Sequence, residues 1–191
     1  MTELIRCSWP GAVDAQMIAY HDTEWGVPLH DDRKLFEFMV LDAMQAGLNW
    51  QIILRKREGF RKAFDDFDPQ KVAQYGPDDI ARLLADSGII RNRLKVLAAI
   101  TNAQHFLDIQ REFGTFDAYI WQFTGGKTVV HKVQGHDDWQ ATSPESDAMS
   151  KDLIKRGFKF VGSTICYAFM QGAGMINDHM VECFRYKEVG R

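Results

Sequence analysis

The sequence predicts an all-α protein, a single helical domain over residues 1–191, and three observations predict it. Apolar residues recur at three- and four-residue steps through most of the chain. Aspartate, serine or proline stands ahead of these runs and glycine behind them, in the positions of helix caps. No stretch alternates over the length of an ordinary strand. A chain of 191 residues, 46% hydrophobic and 26% charged, suffices for one substantial core and is short for two.

Taken in order, residues 1 to 30 are irregular and aromatic-rich. Trp9-Pro10-Gly11 reads as a turn, and Tyr20 to Gly26 as a short helix running into a loop. From Asp32 the spacing of Leu35, Phe36, Met39, Val40 and Ala43 is helical, with Asp32 as the cap and Gly47 as the stop. A second helix follows and buries Trp50, Ile53, Leu54, Phe60 and Phe64. Asp68-Pro69 and Gly76-Pro77 each open a short helix. Residues 92 to 113 form the longest helix, ended by Gly114, and Phe116 to Phe123 a short amphipathic one. Gly125 to Ser143 reads as a surface excursion, because Thr128-Val129-Val130 is brief for a strand and the residues beyond it are polar. After Ser143-Pro144 a helix runs to Gly157, and another carries Ile165, Cys166, Phe169 and Met170.

Composition excludes several classes. Three cysteines, at positions 7, 166 and 183, cannot form a fully paired disulfide framework, and no secretory leader is visible, so a reducing cytoplasm is the expected setting. No apolar run approaches the roughly 18 residues of a membrane span. The formal net charge of -3 argues mildly against nucleic acid. Distribution speaks the other way: basic residues bunch at 55–57 with 61–62, at 91–95 and at 151–159, as solvated helix faces or as phosphate contacts.

Three constellations could carry chemistry. On a helix, His179 and Cys183 would share a face, and with Cys7 and His21 they would complete a tetrahedral Cys2His2 metal site joining the two ends of the chain. Buried cysteines and structural histidines read equally from the same residues. Lys155 to Ser163 joins two helices through a glycine-bracketed turn, which is either an ordinary connection or a hairpin whose free amides grip a phosphate. Trp9, Tyr20, Trp25 and Trp50 lie near polar turns, as core residues or as the flat faces that hold an extruded nucleobase. Asp42, in an apolar helix, is either a structural acid or a functional one at a cavity.

The blocks Arg6-Cys7-Ser8-Trp9, Ala19 to Pro28, Gln45-Ala46-Gly47-Leu48-Asn49-Trp50, Ser87 to Arg91 and Arg156 to Tyr167, in this order, resemble the 3-methyladenine DNA glycosylase I family, a divergent branch of the helix-hairpin-helix DNA glycosylases. The resemblance spans residue 6 to about 184. It implies an enzyme that flips an alkylated purine from duplex DNA and hydrolyses its N-glycosidic bond. It also implies one structural Zn2+ per chain on Cys7, His21, His179 and Cys183. Tyr20 and Trp50 match the rings that sandwich the base, with Trp9 and Trp25 lining the pocket. Gly157, Phe158, Lys159, Phe160, Gly162 and Ser163 match the DNA-gripping hairpin, and Gly47 and Leu48 the turn that fills the gap left by the flipped nucleotide. The implied partners are alkylated duplex DNA and the released base, with the protein acting as a monomer and away from membranes.

Three positions stand out against that pattern. Asn177 replaces the aspartate that most of the superfamily carries, as is usual in this family; a neutral amide cannot supply that charge. Asp42 stands where a base-recognising, catalytic glutamate is expected, withdrawing the carboxyl by about 1.5 Å. Ala168 stands where a serine commonly follows the Cys-Tyr pair. These departures leave open a non-catalytic or differently specific DNA-damage binding protein. A zinc hydrolase of small substrates would instead need an open ligand position.

Overall fold

The computed structural model describes residues 4–9 and 14–189. The turn expected at Pro10 and Gly11 lies outside them. The described chain is helical, as the periodicity predicts, and its centre is α2, Asp32–Gln45, in which every residue from Leu35 to Met44 is buried. A helix covered on all faces must be surrounded. Around it stand α1 (Ala15–Thr23), α3 (Trp50–Ala63), α4 (Pro69–Val72), α5 (Pro77–Ala85), α6 (Arg93–Phe113), α7 (Phe116–Ile120), α8 (Pro144–Lys155) and α9 (Ser163–Gly172). Phe36 meets Phe106 edge-on at 5.2 Å, and Phe106 stacks on Phe116 at 4.1 Å, so α2, α6 and α7 share one aromatic seam.

Capping explains where the helices start. Asp14, Asn49, Asn92 and Ser143 each accept a hydrogen bond from an amide in the first turn of α1, α3, α6 and α8. At α2 the cap is Asp31, which accepts from the Lys34 amide at 2.9 Å, and not Asp32. Asp32 instead turns to another helix: it accepts from the amides of Phe116 and Asp117, both at 2.8 Å. Adjacent aspartates thus serve two helix starts, which sequence spacing cannot separate.

Two buried acids lie on α2, and only one is paired. Glu37 receives Arg57 Nε at 2.7 Å and Arg61 Nε at 3.0 Å, while Arg57 also reaches Glu24. Asp42, about one and a half turns further along, has no such cation among the described residues.

The stretch from Gly125 to Ser143 runs over the surface, as expected, but is tied down along its length. Val129–Val130 (β1) pairs in parallel with Ile176–Asn177 (β2), and Val133 bridges Met180. Val133 is buried, and Trp139 Nε1 donates to the Asp178 carbonyl at 2.9 Å. A pairing two residues long, with a partner far along the chain, leaves no local alternation to detect.

Candidate base pocket and metal centre

α2 delivers Asp42 to the floor of a cavity of about 360 Å³, within the roughly 300–1,000 Å³ of small-molecule sites. Trp9, Tyr20, Trp25 and Trp50 all line it, so the four rings named from sequence converge on the acid named from sequence. Asn49, the α3 cap, places Trp50 at the first helical position, and α1 supplies Tyr20. Trp9 and Trp25 meet edge-on at 4.3 Å. Tyr20 and Trp50 are tilted by 51° with centroids 5.4 Å apart. A base inserted between parallel faces needs about 7 Å, two stacking contacts of about 3.5 Å, so the two rings form an open jaw and not a preformed slot.

The polar atoms of this cavity are left wanting. Asp42 Oδ2 and Trp50 Nε1 are buried without a hydrogen-bond partner among the described residues. Burial, unrelieved by any cation, pushes Asp42 well above the ordinary carboxylate range. Tyr20 is raised too, first by its own burial and then by the nearby Asp42. An unmatched buried carboxyl costs free energy, which protonation lessens and a ligand that pairs with it would return.

Sequence reasoning missed part of the wall. Trp139 and Gln140 reach the cavity from the tethered 125–143 stretch, and Met17, Gln45, Asn49 and Gln171 complete it beside Ala168, the position already set apart in the sequence. Trp139 carried a faint signal, a large aromatic in a polar run; Gln171 carried none.

The four residues expected to hold a metal converge, by a different local structure. The donor atoms of Cys7, His21, His179 and Cys183 lie within 4.8 Å of one another, and all four residues are buried. His179 and Cys183 are on a turn following β2 and not on a helix: the Cys183 amide donates to the Met180 carbonyl at 2.8 Å. Sulfur-to-nitrogen separations are 3.6 Å for Cys7–His179, 3.5 Å for Cys183–His179 and 3.5 Å for Cys183–His21. A tetrahedron with bonds of about 2.3 Å to sulfur and about 2.0 Å to nitrogen has such edges near 3.5 Å. The donor set therefore fits one tetrahedral ion.

Outer contacts fix both imidazoles. His21 directs Nε2 inward while Nδ1 pairs with Asp22 at 2.8 Å, itself held by Arg6 at 2.7 Å. His179 directs Nδ1 inward, with Nε2 3.0 Å from the Trp25 carbonyl. Ligating histidines are oriented in this way by their second nitrogen. Asn177 braces the same turn: its side chain accepts from the His179 amide at 3.1 Å and donates to the Tyr186 and Val189 carbonyls.

The hairpin between α8 and α9 is held rigidly by its own contacts. Gly157 has φ +99°, and a Cβ there would stand 2.6 Å from His105 Nε2, so only glycine fits. Asn102, missed in the sequence, clamps Lys159 from both sides, donating to its carbonyl at 3.0 Å and accepting from its amide at 2.8 Å. Phe158 is buried against His105, which corrects its expected place on the DNA face: it anchors the hairpin from within. Lys159 and Phe160 are exposed, and Gly162 leads into the free amides of α9. Ser163 uses its hydroxyl within the protein, donating to Asp147 at 2.5 Å. At the cavity mouth, Gly47 has φ +75° and Leu48 is exposed, on a turn closed by Leu48 N to Gln45 O at 2.6 Å.

An aromatic cavity with an unmatched acid, beside an exposed apolar turn and a backbone-presenting hairpin, defines a site of the base-flipping class. The sequence model described as methyladenine glycosylase matches residues 9–186, and the chain belongs to that family. It is 46% identical to DNA-3-methyladenine glycosylase 1 of Escherichia coli (strain K12), over 95% of this chain and 96% of that protein. A crystal structure of a 3-methyladenine DNA glycosylase I superposes with a TM-score of 0.91 at 46% identity, covering 94% of this chain and 98% of the other. A variant of another such enzyme, in complex with 3-methyladenine, superposes with a TM-score of 0.89 at 34% identity, covering 93% and 95%.

Proposed function

We propose that this chain is a DNA-3-methyladenine glycosylase that flips the alkylated base out of duplex DNA and hydrolyses its N-glycosidic bond. The observation that carries the reading is the aromatic cavity with the buried Asp42 in its wall, whose Oδ2 has no hydrogen-bond partner among the described residues. A base alkylated at N3 is cationic in DNA. It offsets the burial of Asp42 by giving the carboxylate a counter-charge, and its ring covers the faces of Tyr20, Trp9, Trp25 and Trp50. Hydrolysis breaks the bond from C1′ to the base, which departs neutral with the bonding electrons. Water adds to C1′ and releases a proton. Because the leaving group is already activated by its charge, holding it and the sugar in place supplies much of the rate.

Gly47 and Leu48 fill the space vacated in the duplex. Gly157, Lys159, Phe160, Gly162 and the start of α9 at Ser163 hold the phosphate backbone, a contact that carries no sequence information. Cys7, His21, His179 and Cys183 would hold one Zn2+ as a structural ion, since four protein ligands leave no position for substrate. We read the chain as one domain acting as a monomer in the cytoplasm; among the described residues no helix is long and apolar enough to cross a membrane. Methylated duplex DNA incubated with the protein should release free 3-methyladenine, and release no greater than from heat-inactivated protein would remove the proposal.

A further inference from the structure

We infer that Gln171 determines base specificity: its side-chain carbonyl, aimed into the cavity by Asp178, accepts from the exocyclic amine of the bound purine. This deepens the functional reading above and rests on it.

Gln171 lies in the last turn of α9 and lines the cavity. A glutamine can present either end of its amide, and its surroundings decide which. Here Nε2 is 2.7 Å from Asp178 Oδ2. The same oxygen receives the Tyr167 hydroxyl at 2.7 Å, and Oδ1 pairs with His131 Nδ1 at 2.7 Å. Asp178 is only 1% exposed, so these groups are its whole neighbourhood on that side. A carboxylate accepts and cannot donate, so the amide must turn its NH2 toward Asp178. The carbonyl oxygen is then the end left for the cavity.

The orientation is held at both levels of structure. The Gln171 backbone carbonyl accepts from the Gly26 amide at 2.9 Å and the Gly174 amide at 3.2 Å, so the residue cannot slide along the wall. The Asp178 carbonyl also accepts from Trp139 Nε1, tying a cavity ring to the same anchor. Nothing in the metal clasp or the backbone packing requires Gln171 to reach the cavity.

A fixed acceptor discriminates by chemistry. A purine with an amine at C6 donates to it. A purine with a carbonyl there sets two lone-pair oxygens face to face, with no donor between them. Sites built to pair a particular polar group reject the analogue that leaves them unpaired more strongly than apolar walls reject a change of size.

The test uses the full-length, metal-containing protein and titrates two free bases, 3-methyladenine and 3-methylhypoxanthine, following tryptophan fluorescence. Wild type should prefer 3-methyladenine by about tenfold or more. Gln171→Leu, with Gln171→Met as a second apolar replacement, should weaken 3-methyladenine about tenfold and leave 3-methylhypoxanthine within about twofold. Asp178→Asn, checked for retained metal, should lower the preference with Gln171 intact. Equal weakening of both bases by the Gln171 variants means a packing role and overturns the inference, as does an unchanged preference. A preference retained in Asp178→Asn overturns the orienting role of Asp178. Wild-type protein that releases no 3-methyladenine from methylated DNA overturns the functional reading and this inference with it; release with an unchanged preference in Gln171→Leu overturns this inference alone.

Discussion

His179 Nε2 lies 3.0 Å from the Trp25 carbonyl, so the metal clasp and the base cavity share a stretch of backbone. Trp9 strengthens the connection: it meets Trp25 edge-on and also stands 5.0 Å from His21, a second member of the Cys2His2 group. Stripping the metal, or replacing Cys183 with Ser, should therefore act on stability first and on base affinity through it. Loss of about 3 kcal/mol would lower Tm by roughly 10 °C in a domain of this size. Metal content, thermal melting and 3-methyladenine titration check this together. An unchanged melt with only catalysis lost would show instead that the ion works at the reaction.

Asp42 makes a prediction about pH. Burial raises its folded-state pKa well above 3.8, whereas in the unfolded chain it ionises near that value. Its neutral form thus favours the fold fully below the unfolded value, and that contribution is lost as pH rises through the folded one. Asp42→Asn removes the titration. The unfolding free energy of the variant relative to wild type, followed by denaturant titration, should climb from pH 4 upward by about 1.4 kcal/mol per pH unit until the native carboxyl ionises. The same variant should lose roughly 100-fold in base release. A stability difference independent of pH would mean that Asp42 is solvated in the native state.

What could be read in the sequence follows from how local each signal is. Helix starts were legible where a cap acts within three residues; the spacing puts Asp32 in place of Asp31 where neighbouring aspartates serve different helices, and the first helix, expected over Tyr20 to Gly26, starts instead at Ala15 behind its cap Asp14. The four residues of the clasp were named from their types and spacing, but it took the family resemblance to favour a metal over buried cysteines and structural histidines, and the turn that brings His179 and Cys183 together was not legible. Trp139, Gln171, Asn102 and Lys95 were illegible for the opposite reason. Trp139, Asn102 and Lys95 act through partners far along the chain, Gln171 through an aspartate beyond the end of its own helix, and each residue type has many ordinary uses.

Electrostatics of DNA binding should rest on a few cations. Arg57, Arg61 and Arg156 are committed to Glu24, Glu37, Glu112 and Asp152 within the fold. Arg91, Arg93 and Lys159 are exposed and make no ion pair among the described residues. Affinity for duplex DNA should fall steeply with salt. Lys159→Ala should lower the log–log slope by about 1, equally for all sequences, whereas Arg57→Ala should chiefly destabilise the fold. Titrations between 50 and 200 mM salt, about the range where such losses are large, decide it; an unchanged slope in Lys159→Ala would take the hairpin off the phosphate.

Lys95 should matter for flipping and not for holding the base. Its side chain is buried, and Nζ donates to the carbonyls of Met44 at 2.8 Å and Ala46 at 2.7 Å, the end of α2 just before Gly47 and Leu48. A cation at a helix C-terminus satisfies orphan carbonyls and opposes the helix dipole. Burial alone lowers its pKa, with no carboxylate to counter it. The ammonium therefore serves the exposed turn. In Lys95→Met the turn loses both bonds, and Leu48 is no longer presented at a fixed height. Release of 3-methyladenine from duplex DNA should fall about tenfold, the worth of one or two such bonds, while the affinity for free 3-methyladenine stays within about twofold. Leu48→Ala should behave alike, and the two changes combined should cost less than the sum of each, since both act on one insertion step. Additive losses, or a matching loss of free-base affinity, would place Lys95 in the support of the pocket instead.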